Sequence, residues 1–214
     1  AAPALQVELQ CAGDQFLLGE PVSFRVTVTN RGEARTWTWI EGESHQIQLM
    51  IAREGEPPAP FDWLADGWTI CHFIRTEPLL PGQSKTYHYR ILYMCYHRER
   101  PDKQSRLAFD RPGMYTVKAA YPVPADSKQT ITSNTIQIKI LQPQGVDAEV
   151  WRQIRHKQFL YFLQHRTKSH SLADTPLRIV EILQEYPSTG YADCFKEALR
   201  QYVHEPVKAL KWRA

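Results

Sequence analysis

Apolar residues recur at every second position through the first two-thirds of this chain, and at every third or fourth position after about residue 143. In Val22-Ser23-Phe24-Arg25-Val26-Thr27-Val28-Thr29 the even positions are apolar and the odd ones polar. On a strand those two sets face opposite sides, one toward a core and one toward water. Leu18-Gly19-Glu20-Pro21 before the run and Asn30-Arg31-Gly32 after it are turn signals. The same alternation returns at Val7, Leu9, Cys11; at Ile47, Leu49, Ile51; at Tyr87, Tyr89, Ile91, Tyr93; at Tyr115, Val117, Ala119, Tyr121; and at Ile136, Ile138, Ile140. Thr36 to Ile40 predicts another strand. About seven short strands split by Gly and Pro turns predict an antiparallel sandwich over residues 1–142, and the long spacing of βαβ units is absent.

Gln142-Pro143-Gln144-Gly145 reads as a linker to a helical domain over 147–214. A first helix is predicted from an Asp147 N-cap, with Glu149 in its first turn and Val150, Trp151, Ile154, Phe159, Phe162 and Leu163 as its apolar positions. Asp174 or Thr175 caps a second, with Pro176 early in it, where the missing N–H costs nothing. Leu177, Val180, Leu183 and Tyr186 form one face of it, and Pro187 stops it. Ser188 is the expected cap of a third helix, whose stripe is Tyr191, Cys194, Phe195, Ala198, Leu199 and Tyr202. The predicted class is therefore α+β: a sandwich followed by about three helices.

Two segments depart from the rhythm. Residues 54–77 begin with Glu56-Pro57-Pro58-Ala59-Pro60, for which no regular structure is expected, and then carry Phe61, Trp63, Trp68 and Phe73. A long aromatic loop is either a cover over an open sandwich edge or a binding surface, and both readings stand at this stage. Tyr96 to Ala108 is highly charged and reads as a solvated excursion.

Asp110-Arg111-Pro112-Gly113-Met114-Tyr115 is similar to the tyrosine corner of immunoglobulin-like sandwiches, which implies that the Tyr115 hydroxyl bonds back to upstream backbone. Val117 stands where antibody-type domains carry their second Cys, so the usual inter-sheet disulfide is not expected. With Leu18-Gly19-Glu20-Pro21-Val22, Val28-Thr29-Asn30, Leu80-Pro81-Gly82-Gln83 and Ser133-Asn134, residues 4–142 resemble the sandwich domains of exported bacterial proteins and, more distantly, bacterial intracellular proteinase inhibitors. Ile182-Leu183-Gln184-Glu185-Tyr186-Pro187-Ser188, with Tyr191-Ala192 and Ala198, resembles the junction between tetratricopeptide repeats. A stack needs about three such repeats, so one hairpin must pack on the sandwich or on a partner.

Composition adds limits. Hydrophobic and charged fractions of 43% and 23% are ordinary, and no apolar run approaches the ~20 residues of a membrane span. The net charge of +3 has its excess after Asp147, with no basic block and no interleaved aromatics, which argues against nucleic acid. Ala1-Ala2-Pro3-Ala4, without Met, is expected to follow signal-peptide removal and so implies a periplasmic or secreted protein. Of Cys11, Cys71, Cys95 and Cys194, the pair Cys71–Cys95 is the preferred disulfide because both lie in or beside candidate strands; four buried thiols remain the alternative. Metal binding by Cys71, His72, Cys95 and His97 lacks CxxC or HxxxH spacing, so no metal or other cofactor is expected.

No GxSxG, P-loop, GxGxxG or HExxH occurs, and Asp62 and Asp66 read as two solvated acids. The expectation is a non-catalytic module that binds another protein, a peptidase being one candidate, through Phe61, Trp63, Trp68 and Phe73. Two alternatives stay open: a proteinase inhibitor using the 54–77 loop as a wedge, and a carbohydrate-binding module stacking sugars on Trp37, Trp39, Trp63 and Trp68.

Overall fold

The computed structural model describes residues 5–40, 46–61, 75–94, 106–124, 126–165 and 174–204. It is α+β, with mostly antiparallel sheets followed by four helices. One sheet joins β1 (Leu5–Cys11), β3 (Val22–Asn30) and β8 (Ser84–Ile91) in the order β1-β3-β8. The larger sheet runs β2 (Gln15–Leu17), β13 (Ile136–Leu141), β11 (Gly113–Val123), β5 (Gln48–Arg53), β6 (Ala59–Pro60), and β12 (Asp126–Thr132) pairs the far half of β11. Among the described residues, β2 with β13 is parallel and every other pairing is antiparallel. Short pairs β4 (Thr36–Trp39) with β7 (Thr76–Leu79), and β9 (Tyr93–Met94) with β10 (Arg106–Leu107), complete the strands.

The alternation places the core. Val22, Phe24, Val26 and Val28 of β3 turn inward and meet Val117, Ala119 and Tyr121 of β11 in one apolar cluster shared by both sheets. Leu5, Val7 and Leu9 of β1 and Tyr87, Tyr89 and Ile91 of β8 add to it. Burying one such aliphatic side chain is worth about 1.5–3 kcal/mol, so the two faces hold together by area. The Tyr115 hydroxyl donates to the Arg111 carbonyl at 2.8 Å and accepts the Arg111 N–H at 3.3 Å, the upstream bond the sequence predicts.

The helices gather a second cluster. These are α1 (Val146–Ile154), α2 (Lys157–His165), α3 (Thr175–Glu185) and α4 (Ala192–His204). Val150, Ile154, Phe159, Leu160, Phe162, Leu163, Ile179, Ile182, Tyr191, Phe195 and Ala198 are all buried in it, together with Leu92 from the sheet side.

Several expectations need correction. The first predicted helix is two. In one continuous helix Phe159 would lie roughly half a turn away from Val150, because nine residues advance about two and a half turns. The break at Arg155 and His156 re-aims α2 so that both apolar faces reach one cluster. Asp147 is not a cap: Gly145 precedes α1, and Asp147 sits inside the first turn. Its carboxylate instead accepts Thr189 Oγ1–H and Gly190 N–H, both at 2.7 Å. Ser188 caps nothing, since α4 begins at Ala192 after turns closed by Thr189 N–H to Tyr186 O and Ala192 N–H to Thr189 O. Ala59–Pro60 is regular after all, as a two-residue edge strand on β5, where a proline costs no ladder bond on its outer side. The inner face of α3 is Thr175, Pro176, Ile179 and Ile182, while Leu177 and Val180 point outward.

Candidate functional site

Phe61 is the part of the predicted aromatic site that the structure describes. It is 3% exposed and belongs to the sandwich core, with its N–H bonded to Leu49 O at 2.7 Å. The edge pairing of β6 directs the next residue inward, so Phe61 packs into the core. Trp63, Trp68 and Phe73 lie outside the described residues, as do Asp62, Asp66, Cys71, His72, Cys95 and His97. The proposed Cys71–Cys95 bridge therefore falls outside them too. Cys11 and Cys194 are both half-buried, and the Cys194 thiol donates to the Tyr191 carbonyl at 3.2 Å.

A cleft of about 100 Å³ opens at the root of the aromatic segment. Ile51, Phe61 and Tyr115 line its floor; Arg53, Glu56, Asp110 and Arg111 line its rim. The rim charges neutralise one another: Arg111 Nη2 lies 2.7 Å from Glu56 Oε1, and Arg53 Nη1 lies 3.6 Å from the same oxygen. Asp110 and Glu56 hold the exposed Arg111 guanidinium above its ordinary pKa. Burial, ahead of the neighbouring Asp110 charge, pushes the Tyr115 phenol up, so it stays a neutral donor. A paired rim over an apolar floor can seat an apolar side chain, and among the described residues each charged group of the rim has an opposite partner.

Trp37 and Trp39 do not make a shared platform. Trp37 is 39% exposed, with the Arg35 guanidinium 5.3 Å from its ring centroid. Trp39 is buried, and its indole N–H donates to Pro122 O at 3.0 Å, closing the edge of β11. Between them Thr38 points into the core, where its hydroxyl lies 2.7 Å from Tyr87 Oη and 2.9 Å from Tyr121 Oη. Tyr87 donates to Trp39 O at 2.6 Å, so Thr38 donates to Tyr87 and accepts from Tyr121. Burial raises both phenols, Tyr121 to about 12, and each remains protonated. This chain of hydroxyls anchors β4 over the core.

The helices carry the clearest exposed apolar feature. Leu177 is 66% exposed, Val180 40% and Val203 72%, although the opposite sides of α3 and α4 are fully buried. Lys196, Leu199, Arg200 and Val203 line an open groove along α4. Leu177 and Val180 form one apolar face in the sequence, and Ile179 and Ile182 at the same spacing form a second; the structure buries the second and leaves the first outward.

Among the described residues no group of three or more His, Cys, Asp or Glu could hold a metal ion, and no helix is long and apolar enough to cross a membrane.

No protein-family model and no curated protein matches this chain. Solved structures give weak likenesses. The chain is similar to alkylpurine DNA glycosylase AlkC of Pseudomonas fluorescens, at 10% identity and a TM-score of 0.37, over 64% of this chain and 30% of that one. It is similar to a β-glucosidase of Listeria innocua, at 14% identity and a TM-score of 0.33, over 64% of this chain and 16% of that one. The CARDB domain of PF1109 from Pyrococcus furiosus matches at 12% identity and a TM-score of 0.33, over 64% of this chain and 94% of that domain. The chain thus spans less than a third of the first two proteins, and likeness at these scores assigns neither family nor activity.

Proposed function

We propose that this chain is a non-catalytic protein-interaction module of a bacterial envelope or secreted system. In this reading an immunoglobulin-like sandwich carries a tetratricopeptide-like helical hairpin, and the hairpin presents the outer face of α3 to a partner protein. One observation carries it: Leu177 and Val180 lie exposed, one turn apart, on a helix whose other face is already fully buried. Singly exposed aliphatics are common, but a second apolar face on a packed helix is what a helical partner surface requires. The Arg178–Glu181 pair at 2.6 Å lies on the same exposed side and supplies a polar rim.

The test is a comparison of proteins retained from a bacterial envelope fraction by the wild-type chain and by a Leu177→Asp, Val180→Asp variant. A partner retained by the first and lost by the second is the expected result. Identical retention by both, or none by either, removes the reading.

A further inference from the structure

The outer face of the three-stranded sheet is polar throughout, and the register fixes which side chains meet on it. Gln10 of β1 stands opposite Arg25 of β3, and Arg25 stands opposite His88 of β8. Ser23 stands opposite Arg90 one row away. Directly opposed residues bring their Cβ atoms to about 5 Å, so Arg25 has His88 beside it and Arg90 on the diagonal. Three basic side chains therefore gather at one end of the face, whereas the other end carries the hydroxyl pairs Thr27–Thr86 and Thr29–Ser84.

Arg25 is held without being neutralised. Its Nε donates to Gln10 Oε1 at 3.1 Å and its Nη2 donates to the same oxygen. That acceptor is an amide, not a carboxylate, and a guanidinium has five N–H donors to place. Glu8 reaches only the far side of Gln10, whose Nε2 donates to Glu8 Oε1 at 2.6 Å. Among the described residues His88 makes no hydrogen bond or ion pair within the chain. Arg90 Nε is committed to Leu163 O at 2.9 Å. A groove of about 280 Å³ opens where β1 leaves the sheet, lined by Gln10, Cys11, Ala12, Ser23, Phe24, Arg25 and His88. Asp14 is near enough to act on Cys11, whose thiol burial pushes up, and Glu20 interacts with Arg90, which does not line the groove.

We propose that this groove is a binding site for a phosphate-class oxyanion, gripped by Arg25, His88 and Ser23. A guanidinium positioned by a neutral amide keeps its full charge and a fixed fork, the geometry that suits an oxyanion. Three donors arriving from two strands match a tetrahedral anion with three outer oxygens better than a carboxylate with two. The group would belong to a free phosphate or to the phosphate ester of a small ligand.

The test is an NMR titration of the full chain with inorganic phosphate, phenyl phosphate and acetate at constant ionic strength. The site predicts saturable shifts of the Arg25 Nε–H and His88 signals with either phosphate, and weaker binding of acetate. Tighter binding of phenyl phosphate than of inorganic phosphate would mark an ester as the natural form, and equal binding the free ion. Arg25→Gln and His88→Gln should each weaken phosphate about tenfold or more. Arg31→Gln is the control: Arg31 also rests on an amide oxygen, Gln6 Oε1 at 2.8 Å, but lies outside the groove, so binding should not change. Absence of saturation, or equal losses in the Arg25 and Arg31 variants, would overturn the proposal in favour of a diffuse positive field. Unchanged far-UV circular dichroism checks that these exposed substitutions leave the fold intact.

Discussion

The Tyr191 hydroxyl at the start of α4 donates to the Leu18 carbonyl in the turn between β2 and β3, at 2.6 Å and in a fully buried setting. Residues 173 positions apart are thereby joined, and the bond ties the helices to the sandwich. Burial, then the nearby Asp147 charge, raises the Tyr191 phenol, so it serves as a neutral donor at any ordinary pH. The same turn meets α1: Gly19 has φ +88, and a Cβ there would lie 2.0 Å from the Trp151 ring. Arg90 Nε bonded to Leu163 O and Leu92 N–H bonded to Gln164 Oε1 extend the seam to α2.

Tyr191→Phe should therefore destabilise the protein by about 1–3 kcal/mol, because the buried Leu18 carbonyl loses its partner. Gly19→Ala should cost at least as much, since it adds both a left-handed backbone penalty and a clash with Trp151. Urea denaturation followed by tryptophan fluorescence checks both. If Tyr191→Phe leaves the midpoint unchanged, the seam does not hold the two parts together.

Glu20 gives that seam a pH dependence. Its carboxylate accepts the Leu17 N–H at 2.9 Å, but burial raises its pKa above the ordinary 4.5, and the charges of Asp193 and Asp147 add to the rise. Arg90 and the Leu17 bond pull the other way without reversing it. A raised folded-state value means that the native state holds the proton more tightly. The contribution of Glu20 is thus fully present below about 4.5 and is lost as pH rises through the folded value. The stability difference between wild type and Glu20→Gln should move toward the variant between acid and neutral pH. A flat difference from matched denaturation curves would show that Glu20 is not strained.

Much of the fold is legible because its strands alternate. β3 reads as strictly in the burial pattern as in the sequence, with Val22, Phe24, Val26 and Val28 inward. β12 is not legible: Lys128-Gln129-Thr130-Ile131-Thr132 shows no such rhythm, because a strand that among the described residues pairs β11 alone has little face to bury. β7 was hidden by Pro78, and β2 by its length of three residues. In α3 the spacing of three fits both Leu177–Val180 and Ile179–Ile182, and contact with α2 and α4 chooses between them. Phe61, the one residue of the predicted aromatic site among the described residues, shows a similar ambiguity. An apolar residue beside a proline-rich segment looks the same whether it covers the sandwich or fills it, and Phe61 fills it.

Phe61→Ala separates those two roles directly. A core phenylalanine truncated to alanine costs about 3–5 kcal/mol, because transfer energy is lost and a cavity remains. A binding aromatic on the surface would cost little. Thermal unfolding of the variant should show the large loss, and a fall in midpoint within the scatter of surface substitutions would return Phe61 to the list of contact residues.

The edge of β1 is closed by a side chain. Asn134 lies in the corner between β12 and β13; its Oδ1 accepts the Leu9 N–H at 2.8 Å and its Nδ2 donates to the Leu9 carbonyl at 3.0 Å. The amide thus imitates one residue of a neighbouring strand, on an edge that would otherwise offer its backbone to another chain. Asn134→Ala should cost about 1–3 kcal/mol by orphaning both groups. Asn134→Asp is the sharper test, because it keeps the acceptor but sets a carboxylate against the Leu9 carbonyl. That repulsion raises the folded-state pKa of the new acid, so the variant should be weak at neutral pH and recover as the pH falls and the acid becomes a donor. Stability that is equal for Asn134→Asp and wild type at neutral pH would mean that the Nδ2 bond to Leu9 contributes nothing.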